Sequence, residues 1–202
     1  MSRHWLWSAF LCTVLVGVCG CGKDSSSKPS SSSKPAASAA PTAPPVSEYP
    51  GTVDGLRKMM EDTLSAAKSD DAKLTGMVQA MVIPQPEAWF KKVFEGGAAA
   101  RLTQEYQEMM GKDFMKQGKE LFLGFLQKER TQVTITEIKD ANDTHANGSQ
   151  VDAFKAMKAP VPLYTARFIK AGEPAGTALW SFVWAEDGWR LVGKMRMVKA
   201  AP

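Results

Sequence analysis

Cysteine and histidine are the side chains best suited to act as nucleophiles, metal ligands and proton carriers. In this chain of 202 residues they are few, and all but one lie within the first 21 residues. Cys12, Cys19 and Cys21 all fall within the first 21 residues, and the two histidines are His4 and His145. The chain beyond Cys21 therefore holds no disulfide, thiol nucleophile or thiolate metal site. Zinc sites built on paired histidines, and most Ser-His-Asp triads, need neighbours that this sequence lacks. No metal and no cofactor are expected. The formal net charge is +4. The four cations and two acids of residues 1–50 account for half of it, leaving +2 for residues 51–202. That is too near neutrality for a nucleic-acid partner.

Cys21 does have a chemical context. It closes the stretch Leu15-Val16-Gly17-Val18-Cys19-Gly20-Cys21, which follows Arg3 and an apolar run over residues 5–18. That run is shorter than the roughly 20 residues needed to span a bilayer as a helix, and it has the parts of a signal peptide. An aliphatic residue three before the cysteine and a small residue just before it resemble the lipobox of bacterial lipoproteins. The fit is to Cys21 and not to Cys19, because bulky Val18 stands where a small residue is required. The resemblance implies a signal peptide over residues 1–20, lipidation (palmitate among the acyl groups) at Cys21, and a membrane partner held through the N-terminal lipid. It also implies a location in the cell envelope. Gly22 stands where an Asp would signal inner-membrane retention, which favours the outer membrane, facing the periplasm.

Residues 21–50 are the lipidated cysteine and a tether of Ser, Lys, Pro and Ala, in which residues 25–29 repeat as 31–35. Such a segment buries too little apolar area to offset its ordering entropy, so a disordered linker is expected, roughly 30 Å end to end.

The elements that must position any site lie in residues 51–202. Val53, Leu56, Met60, Leu64 and Ala67 recur at helical spacing, as do Leu74, Met77, Val78, Met81 and Val82 before Pro84. Pro86 opens a short third helix carrying Trp89, Phe90, Val93 and Phe94, with Gly96-Gly97 closing it. A longer pattern runs from Leu102 to Phe125, weakened by Gly111, Gly118 and Gly124. Residues 132–138 alternate around Val133 and Ile135 as a first strand. Residues 139–150 read as a loop with an Asn147-Gly148 turn, and 151–159 as one or two helical turns. Strands are expected at 163–170, 177–186 and 189–199.

The last two strands form a hairpin whose register polarity selects. A two-residue Asp187-Gly188 loop sets Glu186 opposite Trp189, Trp184 opposite Leu191, Phe182 opposite Gly193 and Trp180 opposite Met195. The large apolar groups then share one face. A three-residue loop would set Trp184 against Arg190 and Trp180 against Lys194, and a one-residue slip exchanges faces, so the first register is preferred.

Helices followed by strands indicate an α+β fold, N-terminal helices packed on a curved antiparallel sheet of about four strands. The order of elements, the Trp89-Phe90 helix and the Trp180-x-Phe182…Asp187-Gly188-x-Arg190-Leu191-Val192-Gly193-Lys194 hairpin resemble nuclear-transport-factor-2-like domains. Those domains are cones in which a sheet wraps a helix around a cavity. The resemblance implies a pocket lined by Tyr106, Phe122, Tyr164, Phe168, Trp180, Phe182 and Trp184, although these side chains filling the core is the preferred reading. Enzymes of that fold pair a pocket carboxylate with a Tyr. Here the candidates are Asp113 with Tyr106 or Tyr164, Asp113 lying seven residues after Tyr106 on a shared helix face. Arg167, Arg190, Lys194 and Arg196 are candidates for an anion-facing sheet surface, a solvated outer face being the plainer reading. The expectation is a binding or interaction module without catalysis, taking a small apolar ligand or an envelope protein. An isomerase- or hydrolase-like enzyme and an adaptor in an envelope assembly are the alternatives.

Overall fold

A computed structural model describes residues 48–196. The leader, Cys21 and the tether up to residue 47 lie outside the described residues, as do residues 197–202. The fold is α+β, with six helices and a four-stranded antiparallel sheet of order β1-β2-β3-β4. The first helix, α1 (Val53–Ser69), starts where the Thr52 hydroxyl accepts from the Gly55 N–H. Asp70 ends it and caps α2 (Asp71–Ala80) by accepting from the Lys73 N–H at 2.8 Å. Pro86 sits in the first turn of α3 (Pro86–Val93), where a missing N–H costs nothing.

Three boundaries differ from the sequence reading. Gly96-Gly97 does not close α3; it opens α4 (Gly96–Met109). The long pattern divides at residues 110–113, and α5 (Phe114–Gln127) begins afresh. Strand β1 (Gln132–Ile138) leads to α6 (Gly148–Ala156), which Asn147 starts with a capping box. Asn147 Oδ1 accepts from the Ser149 and Gln150 N–H groups while Gln150 Oε1 accepts from the Asn147 N–H. Asn147-Gly148 is thus a helix start and not a turn within the loop. The sheet continues with β2 (Leu163–Ile169), β3 (Gly176–Ala185) and β4 (Gly188–Leu191).

Strand alternation sends side chains to two hydrophobic clusters on opposite sheet faces. Val133, Tyr164, Ala166, Phe168, Phe182 and Trp189 join Leu56, Met60, Leu74, Val78, Phe122 and Phe125 from α1, α2 and α5. Phe125 stacks on Phe168 with ring centroids 4.2 Å apart. The intervening residues Ile138, Leu163, Val183, Ala185 and Val192 meet Phe90, Leu102, Tyr106 and Phe154 from α3, α4 and α6. Helices therefore cover both faces of the sheet.

The hairpin adopts neither register considered from the sequence. Its partners are Ala185↔Gly188, Trp184↔Trp189, Val183↔Arg190 and Phe182↔Leu191. The loop is Glu186-Asp187, with φ of 51° and 55°, the left-handed pair that a two-residue turn of this twist requires. Gly188 serves a different purpose, because a Cβ there would lie 3.0 Å from an Arg190 guanidinium nitrogen. The pairing is shifted by two residues from the preferred register, so Phe182 and Trp184 keep the expected face while Phe182 faces Leu191, not Gly193.

Trp180 does not keep it. Tyr164 pairs with Phe182 but Ala166 pairs with Leu179, so Thr165 alone stands opposite Trp180 and Ser181. This β-bulge, with Ser181 at φ 65°, inserts a residue into β3 and removes Trp180 from the Phe182 face. Strand β4 is also shorter than expected. It ends at Leu191, and left-handed Gly193 (φ 75°) and Met195 (φ 45°) turn the chain away from β3.

Candidate functional site

The bulge and the early end of β4 together create a pocket. A full-length β4 would have run beside Ala178, Leu179 and Trp180; in its absence those residues form a wall. Helix α4 supplies the opposite wall through Leu102, Glu105, Tyr106 and Met109, spaced three or four apart and so on one stripe. Phe90 and the turned segment from Leu191 to Arg196 complete the lining of this open pocket, whose volume is about 400 Å³. Gly193 is favoured here by its left-handed backbone, φ 75°, and it lies close under Met109, whose flexible Sδ would be 2.6 Å from a Cβ.

Most of this lining is apolar, and its ionic groups are Glu105, Lys194 and Arg196. The Lys194 ammonium stands 5.1 Å from the Trp180 ring centroid, a cation–π arrangement. The Arg196 N–H donates to Glu105 Oε1 at 3.2 Å. Tyr106 offers the pocket its ring and not a reactive hydroxyl. Its Oη accepts from the Ile83 N–H at 2.7 Å, and burial pushes its pKa up to about 12 against the opposing pull of that hydrogen bond and the Arg190 charge.

The other residues singled out from the sequence are dispersed. Phe122, Phe168 and Phe182 fill the first cluster, Tyr164 is buried with them, and half-buried Trp184 packs beside Trp189. None of these five lines the pocket, so Tyr106 and Trp180 are the two of the seven that do. Asp113 is exposed in the turn before α5 and makes no side-chain cap. It bonds to neither candidate tyrosine. Tyr164 instead donates to Glu137, its cross-strand neighbour, at 3.1 Å; burial and that carboxylate push its pKa up to about 12. The carboxylate–tyrosine pair expected from Asp113 is therefore not assembled.

The four cations separate likewise. Lys194 and Arg196 meet at the pocket, while exposed Arg167 sits in the middle of β2. Arg190 is 9% exposed and does not belong to a solvated face. Its guanidinium donates to the carbonyls of Ala80, at the end of α2, and of Glu186 in the hairpin turn. The negative end of the helix dipole and these carbonyls explain how the charge is tolerated in the interior. Arg190 also borders a second, wider concavity of about 700 Å³ between α2 and the hairpin turn, where Tyr49, Lys73, Met77 and Asp187 lie as well.

Sequence reasoning missed Leu102, Glu105, Met109, Leu179 and Met195 as pocket residues. The helical stripe of α4 was a usable signal for the first three. Nothing local marks Met195, because a left-handed turn brings it to the site, or Leu179, which packs against the first cluster and borders the pocket only because β4 ends early beside it. Among the described residues no group of three His, Cys, Asp or Glu side chains could hold a metal, and no helix is long and apolar enough to cross a membrane. Comparison with protein-family models, with curated proteins and with solved structures finds no match to this chain.

Proposed function

We propose that this chain is a lipid-anchored protein of the bacterial envelope, held through Cys21 in the outer membrane facing the periplasm. It presents its α+β domain on the Ser/Pro/Ala/Lys tether, and the domain is a binding module without catalysis. Its working site is the pocket beneath α4. The observation that supports this reading is the composition of that pocket: apolar walls of about a ligand's dimensions, with ionic groups confined to Glu105, Lys194 and Arg196. Ligand sites of small molecules have this character, largely apolar with a few polar groups that fix orientation. An enzymatic reading loses its main support, because Asp113 stands apart from both tyrosines.

Two measurements test the proposal. Cells fed labelled fatty acid should label the wild-type protein and not Cys21→Ala; label retained by the variant would overturn the lipid anchor. Native mass spectrometry of the protein released from membranes should show a retained small molecule that Trp180→Ala loses. A molecule held equally by both proteins would place binding elsewhere.

A further inference from the structure

We propose that the pocket beneath α4 takes a single-chain amphiphile ending in a carboxylate, its chain along Trp180 and Met109 and its head between Lys194 and Arg196. The inference rests on reading that pocket as the working site.

Size argues for one chain. At about 30 Å³ per water-sized group, 400 Å³ holds roughly a dozen non-hydrogen atoms, too few for a two-chain lipid. The polarity of the lining argues for an amphiphile. Leu102, Met109 and Leu179 offer no hydrogen-bonding side chain, whereas the turned segment alternates in exposure: Met195 is buried while Lys194 and Arg196 on either side are exposed. Left-handed backbone at Gly193 and at Met195 produces that alternation, and a non-glycine residue held at φ 45° is a conformation that surrounding structure must impose.

Charge argues for a monoanion. No ion pair among the described residues engages Lys194 or Arg196 through its side chain. With Glu105 the three ionic groups of the lining sum to +1, which one carboxylate neutralises and a dianionic phosphate monoester would exceed. The β-bulge adds an independent point. It turns Trp180 off the core face and under the Lys194 ammonium, so that the ring lies beside the polar end of the pocket. Bulges commonly re-aim a side chain at a functional position.

The test uses the full chain in nanodiscs of phosphatidylcholine, with empty discs as the reference, titrated calorimetrically with decanoate and with decanol. Decanoate should bind about tenfold or more tightly than decanol, the increment of one charge-assisted hydrogen bond. Replacing both Lys194 and Arg196 by Ala should bring decanoate down to the affinity of decanol and leave decanol unchanged. Trp180→Ala should weaken both ligands, and Met109→Ala, at a side chain already 38% exposed, repeats that arm without threatening the fold. Equal affinities of decanoate and decanol for the wild-type protein would overturn the carboxylate inference while leaving an apolar binding pocket. Failure of both to bind, or binding indifferent to Trp180→Ala and Met109→Ala, would overturn the pocket as the working site and the inference with it.

Discussion

Replacing Phe182 and Trp180 separately by Ala tests the bulge in β3, on which the pocket depends. Phe182 has 0% exposure, faces Leu191 across the hairpin and Tyr164 across β2, and belongs to the first cluster. Its truncation leaves a sealed cavity, and losses of about 3–5 kcal/mol are typical of Phe→Ala at such sites. Trp180 is a half-buried wall of an open pocket, so truncation enlarges a space that already exists and creates no sealed void. Loss of partial burial costs about 1 kcal/mol, and loss of the Lys194 cation–π contact about 0.5–1 kcal/mol more. Urea unfolding of the full chain reads the difference. With a denaturant dependence near 2 kcal/mol per molar, the Phe182→Ala midpoint should fall by about 1.5–2.5 M and that of Trp180→Ala by about 1 M or less. Equal losses would mean that Trp180 and Phe182 share the buried face, that alternation runs unbroken through Ser181, and that the pocket as described does not form.

Three further outcomes are expected. Gly118→Ala should destabilise by about 1–3 kcal/mol because its Cβ would lie 2.6 Å from Val78 Cγ1, where α5 crosses α2; Gly124→Ala, which meets nothing within 4 Å, should stabilise by up to about 1 kcal/mol, and thermal unfolding distinguishes the two. Arg190→Ala should cost about 2–3 kcal/mol by leaving the Ala80 and Glu186 carbonyls without their charged donor, while Arg167→Ala, on the exposed part of β2, should stay within about 0.5 kcal/mol; denaturant midpoints of both variants decide it. Tyr106 and Tyr164, both raised to about 12 from the ordinary value near 10, hold their protons in the folded protein after the unfolded chain has released them. Their contribution is present below about pH 10 and is lost as pH rises towards 12, so Tyr164→Phe should flatten the alkaline fall in unfolding midpoint, and an unchanged slope would refute the assignment.

Most of the fold was legible in the sequence because it rests on local chemistry. The helical spacing of Leu56, Met60 and Leu64, Pro86 at a first turn, and the alternation around Val133 and Ile135 each report burial on one face of an element, and α1, α3 and β1 lie where those patterns put them. The α+β class followed from the order of such segments. The faces of Phe182 and Trp184 were also legible, since a register shift of two preserves parity even when the partners change.

What the tertiary structure alone decided is where local rules yield to contacts distant in sequence. Asp187-Gly188 suits a tight turn better than Glu186-Asp187 does, yet the turn falls on Glu186-Asp187 and Gly188 is left in β4, where the Arg190 side chain lies across it on the way to Ala80, 110 positions earlier. Trp180 obeys strand periodicity until an extra residue opposite Thr165 takes it off the core face, and Val192 to Arg196 would continue β4 but for the turn at Gly193 beneath Met109. The candidate site is built from these departures. Strand pattern records which residues are buried, but a bulge and a strand end record how two separately patterned segments meet, and that depends on the helix packed beside them.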